Sequence, residues 1–399
     1  MNEVERDGSG PRLVLVPMLK AFIDGDKIGL TRKFVDGIRE QERRWAGPLQ
    51  VLMHPTNVES DNLDLVTYRR DDVPFQLAVH RLDSSAAAEV IASSSVASLS
   101  LDPEQNHLGA LCKRLGVPCV YVSEYTLKTR IQIARTQVRN PLRLARRVVW
   151  EIGQEGQYRR AVSISDGVQC NGTPTFDAYS RLNPSPLLFF DTRTSASQLI
   201  PEADLAGRFA QRRASETLRL AFSGRLIAMK GADHLVHVAT FLARSGRNFS
   251  LSICGAGALE ESMRQAVRAQ QLEDRVRFLG NLDFASELLP FLRREVDLFV
   301  SCHRQGDPSC TYLETMGCGV PIAGYDNEAW QGLARVSGAG WSTPLNDPTA
   351  LGRKIASLSD ADIEAQSVAS LRFATAHTFE GEMERRMRHL ETLANARRA

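Results

Sequence analysis

The sequence predicts an α/β protein made of two consecutive Rossmann-like units. Three observations carry this expectation. Short, almost wholly apolar strand candidates alternate with amphipathic helix candidates along the chain. The alternation pauses near residues 190–205 and then restarts. The 399 residues exceed what one hydrophobic core usually organises. Near-continuous apolar strands separated by helices suit a parallel sheet covered on both faces.

In the first unit, "RLVLVPML" reads as a strand and "LTRKFVDGIREQERRW" as the following helix. "LQVLMH", "FQLAVHRL", "ASLSLD" and "PCVYVSEY" are further strands. "DTRTSASQLIPEADLAG" fits a linker. The second unit opens with the strand "LRLAFSGRL", followed by the helix "GADHLVHVATFLARSG", which ends at a glycine. "FSLSICGAG" and "ALEESMRQAVRAQQL" form the next strand and helix. "VRFLGNL", "VDLFVSC", "VPIAGYD" and "AGWSTP" continue the strand series. The expected division is 1–195 for the first domain, 196–378 for the second, and 379–399 for a last helix returning towards the first domain.

Composition narrows the function. The formal net charge of +2 gives no global field for nucleic acid. Seven cysteines without a CxxC spacing argue for a reducing compartment rather than a disulfide framework. The start, "MNEVERDGSGPR", lacks the apolar core of a signal peptide. No apolar run approaches the roughly 18 residues that span a bilayer. A cytoplasmic protein is expected, free to lie on the inner face of a membrane. Between Lys128 and Arg160, nine cations face only Glu151 and Glu155, a local charge of +7, interleaved with Leu142, Val149 and Trp150. This is either a solvated basic helix or a surface for anionic lipid.

Three stretches carry chemistry. In "SGRLIAMKG" a strand ends, Gly224 lets the backbone turn, and Arg225 and Lys230 follow five residues apart. Ligands of open α/β sheets sit beyond the carboxyl ends of strands. There the two cations are either solvated or gathered on one diphosphate, Arg as a fork and Lys as a point charge. "ICGAGALEE" resembles a dinucleotide fingerprint but lacks the third glycine and a later acid, so nicotinamide is not expected. Its Gly255 suits close approach of backbone and ligand. In "GDPSCTYLETMGCGVPI" a helix from about Cys310 offers the amides of Ser309, Cys310 and Thr311 to an anion. Pro308 fits near such a start. Glu314, one turn in, is either a buried capping carboxylate or a partner for a ribose diol.

In this order, these features resemble the retaining glycosyltransferases of family 4, which have the GT-B architecture of two Rossmann-like domains facing a central cleft. The likeness covers the second half by specific motifs and the first half by layout. It implies that Arg225 and Lys230 bind the donor's diphosphate, and that Glu314, in "ETMGCGVP", binds the ribose. It also implies that Gly280 and Asn281 of "FLGNL" flank the nucleobase. The family's first glutamate, expected eight positions before Glu314, is Gly306 here, and the adjacent acid is Asp307. Either Asp307 takes this place against the donor sugar after a one-residue adjustment, or sugar recognition has changed. Where the family often has a histidine, after "VPCVYVSEY", this chain offers Glu124, for an acceptor hydroxyl, the donor sugar or a surface role. "IDGDKIGLTRK" resembles the family's first glycine loop, which would bring Gly29 to the ligand, with Asp24 and Lys27 nearby.

Cys302, His303, Cys310 and Cys318 match no familiar zinc spacing, so no metal is expected. His54 and His80 stand near strand ends. The resulting expectation is a metal-independent hexosyltransferase. It would move a sugar from a UDP or GDP donor to a saccharide or lipid-linked hydroxyl in bacterial polysaccharide or glycolipid synthesis. Domain closure would limit donor hydrolysis. The alternatives are a catalytically silent nucleotide- or subunit-binding partner in an assembly complex and a nucleotide-sugar epimerase of the same fold.

Overall fold

The computed structural model describes residues 10–58 and 65–396. Residues 1–9, on which the reading of the polar start rests, lie outside the described residues. The first domain contains β1 (Leu13–Val16), β2 (Ala21–Asp24), β3 (Lys27–Thr31), α1 (Arg32–Arg44), β4 (Leu49–Met53), β5 (Pro55–Thr56), β6 (Leu65–Arg69) and β7 (Gln76–Val79). It continues with α2 (Ser85–Ala92), β8 (Val96–Ser100), α3 (Leu108–Leu115), β9 (Cys119–Ser123), α4 (Leu127–Gln137), α5 (Pro141–Ile164), β10 (Gly167–Asn171), α6 (Gly172–Tyr179) and β11 (Pro186–Phe189). Seven of these strands form one parallel sheet, ordered β11-β10-β9-β8-β1-β4-β7.

The second domain begins with α7 (Glu202–Arg213), β12 (Leu218–Ser223), α8 (Ala232–Arg244), β13 (Phe249–Cys254), α9 (Glu260–Ala269), β14 (Val276–Gly280) and α10 (Leu289–Glu295). β15 (Leu298–Ser301), α11 (Cys310–Gly317), β16 (Ile322–Tyr325), α12 (Glu328–Ser337), β17 (Trp341–Thr343), α13 (Pro348–Ala356) and α14 (Asp360–Ala376) complete it. Its parallel sheet runs β14-β13-β12-β15-β16-β17. The chain reverses its order between β12 and β15, which makes their carboxyl ends the natural ligand position. The last helix, α15 (Phe379–Ala396), packs against α1, β8 and β11 of the first domain. This is the GT-B fold.

β1 shows why these runs are apolar throughout. Val14 and Val16 join the core beneath α2 and α3, while Leu13 and Leu15 join the opposite core with Met387 and Leu390 of α15. A parallel strand buried on both faces has no polar side to spare. The second domain has one large core, which includes Phe222, Phe299 and Trp330.

Three expectations need correction. "IDGDKIGLTRK" is not a glycine loop but a hairpin, β2 and β3, within a small sheet ordered β5-β2-β3-β6. Gly29 lies mid-strand, and a side chain there would meet Phe22 at 3.2 Å rather than a ligand. Alternation of polar and apolar residues in a short edge sheet is easily mistaken for a loop. The supposed linker is helical from Glu202 onward, because Arg208 of α7 is buried and bonds the carbonyl of Cys318 at 2.8 Å. Arg130 is not part of a solvated basic face. It is buried between Glu151 and Glu155, at 3.0 and 2.7 Å.

The two domains meet through α6 and α12. Gly332 of α12 stands against Thr173, where any side chain would collide with the Thr173 hydroxyl. Glu328, the first residue of α12, accepts from Thr126 Oγ1 at 2.9 Å and pairs with Lys128 at 3.4 Å. Thr126 caps α4, so this carboxylate also favours the positive end of that helix.

Candidate functional site

The carboxyl ends of β12 and β15 are stitched together by their loops. Gly231 has φ +63°, and its missing side chain leaves room for the carbonyl of Cys302. Arg304 donates its amide to Met229 O at 3.1 Å, and its guanidinium reaches Asp233 at 2.7 Å. This frame holds Lys230 against Asp307, Nζ to Oδ2 at 2.8 Å. Both side chains are largely buried, at 11% and 19% exposed. Burial alone would push the Asp307 carboxyl up, but Lys230 beside it holds it below its ordinary range. Among the described residues, Asp307 Oδ1 is buried without a hydrogen-bond partner, and so is Nε2 of the adjacent His303. Burial, reinforced by Lys230, drives His303 down to about 3, so its ring is neutral. Arg225, on the same loop, is exposed and has no ion pair among the described residues.

α11 begins where the sequence placed it, with Ser309 as its first capping residue and no side-chain cap. Among the described residues, no group accepts from the amides of Ser309, Cys310 or Thr311. Orphan amides at a helix start form a preset anion site. Glu314 lies on the buried side of this helix, 4% exposed, and accepts from Arg193 Nε at 2.8 Å. Arg193 in turn lies over the Phe284 ring, 4.1 Å from its centroid.

Gly306 is explained by packing. A side chain there would begin 3.0 Å from Glu328 Cβ and 3.1 Å from Thr129 Oγ1, within the contact between the domains. The Gly306 amide donates to Gln132 of α4 at 3.2 Å. A carboxylate at this position would have to displace Glu328, whose own Oε2 lies 3.3 Å from where that side chain would start.

The first domain contributes a polar floor from the ends of β9, β10 and β11. Asn171 donates to Glu124 Oε2 at 2.8 Å and accepts from the Asp191 amide at 3.1 Å. Burial and the neighbouring Asp191 raise the Glu124 carboxyl. Asp191 goes the other way: burial opposes ionisation, but Lys33 outweighs it and lowers the pKa. Lys33 Nζ bonds Asp191 Oδ2 at 2.6 Å and Cys310 Sγ at 3.1 Å, so α1 of one domain reaches the start of α11 in the other. Arg386 of α15 lies behind this floor, bonded to Gln169 at 2.9 Å.

Sequence reasoning missed Lys33, Asp191, Arg193 and Glu328. Asp191 and Arg193 stand just after the apolar run "LLFF", where a strand end was a usable signal. Lys33 and Glu328 carried none, since they are ordinary first-turn helix residues whose meaning depends on the opposite domain.

Other expected residues fall elsewhere. Gly255 has φ +124°, and the close approach it permits is to the carbonyl of Gly224, backbone to backbone. Gly280 accepts from the Gly255 amide at 2.6 Å, and Asn281 follows it on the surface. Asp24 and Lys27 are exposed at the hairpin turn. His54 and His80 remain at the ends of β4 and β7, half-buried. Cys302 and Cys318 are core residues, and among the described residues no group of three or more His, Cys, Asp and Glu side chains is placed to hold a metal.

Residues 206–370 match the family described as Glycosyl transferases group 1, a match that spans the second domain and less than half of the chain. The chain is 26% identical over 160 residues to the amylovoran biosynthesis glycosyltransferase AmsK of Erwinia amylovora, covering 38% of this chain and 39% of that protein. It is 29% identical over 106 residues to a 2-deoxystreptamine glucosyltransferase of Streptomyces kanamyceticus, 27% of either chain. The matched stretch thus spans about a quarter to two fifths of these relatives' length. Among solved structures, Anabaena Alr3699/HepE in complex with UDP superposes with a TM-score of 0.63 at 13% identity, covering 96% of this chain and all of that one. WaaG, a glycosyltransferase involved in lipopolysaccharide biosynthesis, gives 0.57 at 12%, covering 95% and 99%.

Proposed function

We propose that this protein is a glycosyltransferase that moves a hexose from a nucleoside diphosphate donor to an acceptor hydroxyl in polysaccharide or glycolipid synthesis. The observation that carries the reading is the meeting of Lys230, Asp307 and the unpaired amides of α11 at the point where the β12–β15 order reverses. The group 1 glycosyltransferase likeness covers this same stretch.

The residues divide the work. As the bond to the sugar breaks, negative charge accumulates on the departing diphosphate. Arg225, Lys230 and the amides of Ser309, Cys310 and Thr311 stabilise it without a metal ion. Glu314 accepts from the ribose diol, with Arg193 holding it in place. Gly280 and Asn281 border the base. UDP is favoured over GDP because HepE is seen with UDP. Asp307 takes the donor sugar's hydroxyls, and Glu124 and Asp191 take the acceptor's. Transfer on the face from which the diphosphate leaves would retain anomeric configuration and need no carboxylate nucleophile, which suits a chain with Gly306 in place of the first glutamate.

The test is a panel of UDP- and GDP-sugars followed by thermal shift, then a transfer assay with saccharide and lipid-linked acceptors. A ligand that binds the native state raises the melting temperature. One donor that stabilises the protein, and loses its effect in Arg225→Ala, is the expected result. Absence of any nucleotide effect would leave the silent-partner reading. Donor conversion without acceptor would indicate an epimerase.

A further inference from the structure

The outward face of α5 is unusual for a soluble surface. Leu142 is 81% exposed, Val149 69% and Ile152 55%, with Trp150 beside them at 40%. Four of the ten large apolar side chains exposed among the described residues thus lie in one helix. Their arrangement follows helical spacing. Leu142, Arg146 and Val149 repeat at i, i+4 and i+7 and share a face, while Glu151, Tyr158 and Val162, at i, i+7 and i+11, form the buried opposite side. Arg139, Arg143 and Arg146 surround the apolar stripe and have no carboxylate partner among the described residues. Arg147 pairs with Glu151 at 2.8 Å and lies over the Trp150 ring at 4.4 Å, extending the stripe rather than adding free charge.

We propose that this face of α5 docks the protein on an anionic lipid bilayer, with Leu142, Val149 and Ile152 entering the interface and Arg139, Arg143 and Arg146 meeting the headgroup phosphates. Charge and shape select the occupant. A second copy of the chain would set arginine against arginine. A nucleic acid would use the arginines but leave the apolar side chains in water. A bilayer takes up singly projecting apolar side chains without a shaped groove, and its anionic headgroups complement the surrounding cations. The location is also informative. Gln132 and Thr136 of α4 touch Gly306 and Gln305 at 3.2 and 3.3 Å, and α5 begins four residues after Gln137. The lipid face therefore starts one short connection from the loop that carries Asp307.

The inference does not rest on the transferase reading and is tested without an activity assay. The full chain is sedimented with phosphatidylcholine vesicles, with and without phosphatidylglycerol, at low and high salt. Binding is expected only with the anionic lipid and should weaken with salt. Arg143→Gln with Arg146→Gln, and separately Leu142→Ser with Val149→Ser, should each lower binding about tenfold or more, with the melting temperature unchanged because all four sites are exposed. Trp150 reports insertion, since Trp45 and Trp330 are fully buried and the half-buried Trp341 lies in the second domain: brominated lipid should quench wild-type fluorescence, and Trp150→Phe should lose that quenching. Equal binding to neutral vesicles, no binding to anionic ones, or unchanged binding of both double variants would overturn the proposal. So would tighter retention on an oligonucleotide that is indifferent to the Leu142 and Val149 changes.

Discussion

Lys230 donates to Asp307 across 2.8 Å, joining the loop after β12 to the loop after β15 in a largely buried ion pair. Neither side chain is free to serve a ligand independently of the other. Lys230→Ala should lower affinity for UDP by roughly 30- to 100-fold, the worth of a charge-assisted phosphate contact. It should also destabilise the fold by about 1–3 kcal/mol, because Asp307 is left buried without its cation. Calorimetric titration and urea unfolding measure the two effects separately.

Asp307→Ala should separate nucleotide from sugar. Removing the carboxylate releases Lys230 for the diphosphate, so affinity for UDP alone should hold or rise a fewfold. Turnover should fall at least tenfold, and the preference among donor sugars should change. Unchanged turnover and unchanged donor choice would remove Asp307 from sugar recognition.

The neutral His303 makes a pH prediction. Its folded pKa of about 3 lies below the ordinary 6.5. Below pH 6.5 the unfolded chain takes up a proton that the native protein refuses, so stability falls as pH falls, until native His303 itself titrates. Between pH 6.5 and 4 the loss from this group is on the order of 3 kcal/mol. Asp307, with its lowered pKa, acts in the same direction near and below pH 4, where its ionised form is lost. Urea unfolding from pH 7 to 4 should show this slope, and His303→Asn should flatten it.

Gly306→Ala should cost about 1–2 kcal/mol, because the new methyl presses on Glu328 and Thr129. In a Thr129→Ala background the cost should shrink, since the obstructing Thr129 hydroxyl is gone, whereas Glu328→Ala would keep the Cβ that crowds the site. A double-mutant cycle in thermal or chemical unfolding reads this coupling. Additive costs would show that Gly306 is retained for another reason.

The second domain was legible because its chemistry is local. The glycine before Arg225, the amide-rich start at Cys310 and the buried Glu314 each announce themselves within a few residues. The β-strands were legible too, since burial on both faces forces near-continuous apolar runs. What the sequence did not reveal depends on the meeting of distant segments. Gly306 appeared as a missing carboxylate, and only the approach of Glu328 and Thr129 shows that the space is already filled. The β2–β3 hairpin was missed because its Gly25 turn and polar flanks resemble a loop. Gly255 was read towards a ligand, whereas its neighbour is the Gly224 carbonyl.

The return of α15 to the first domain means that the chain crosses between domains twice, near residues 191–201 and 376–379. The crossings are not independent. The Phe379 amide donates to Thr194 O at 2.9 Å, and the Ala196 amide donates to Glu380 at 3.1 Å. Two bonded straps lying side by side behave like the pin of a hinge. They resist separation and sliding of the domains and leave rotation about their own line as the soft direction. Opening of the cleft should therefore be a single swing that parts Lys33 from Cys310 and Glu328 from Thr126 together.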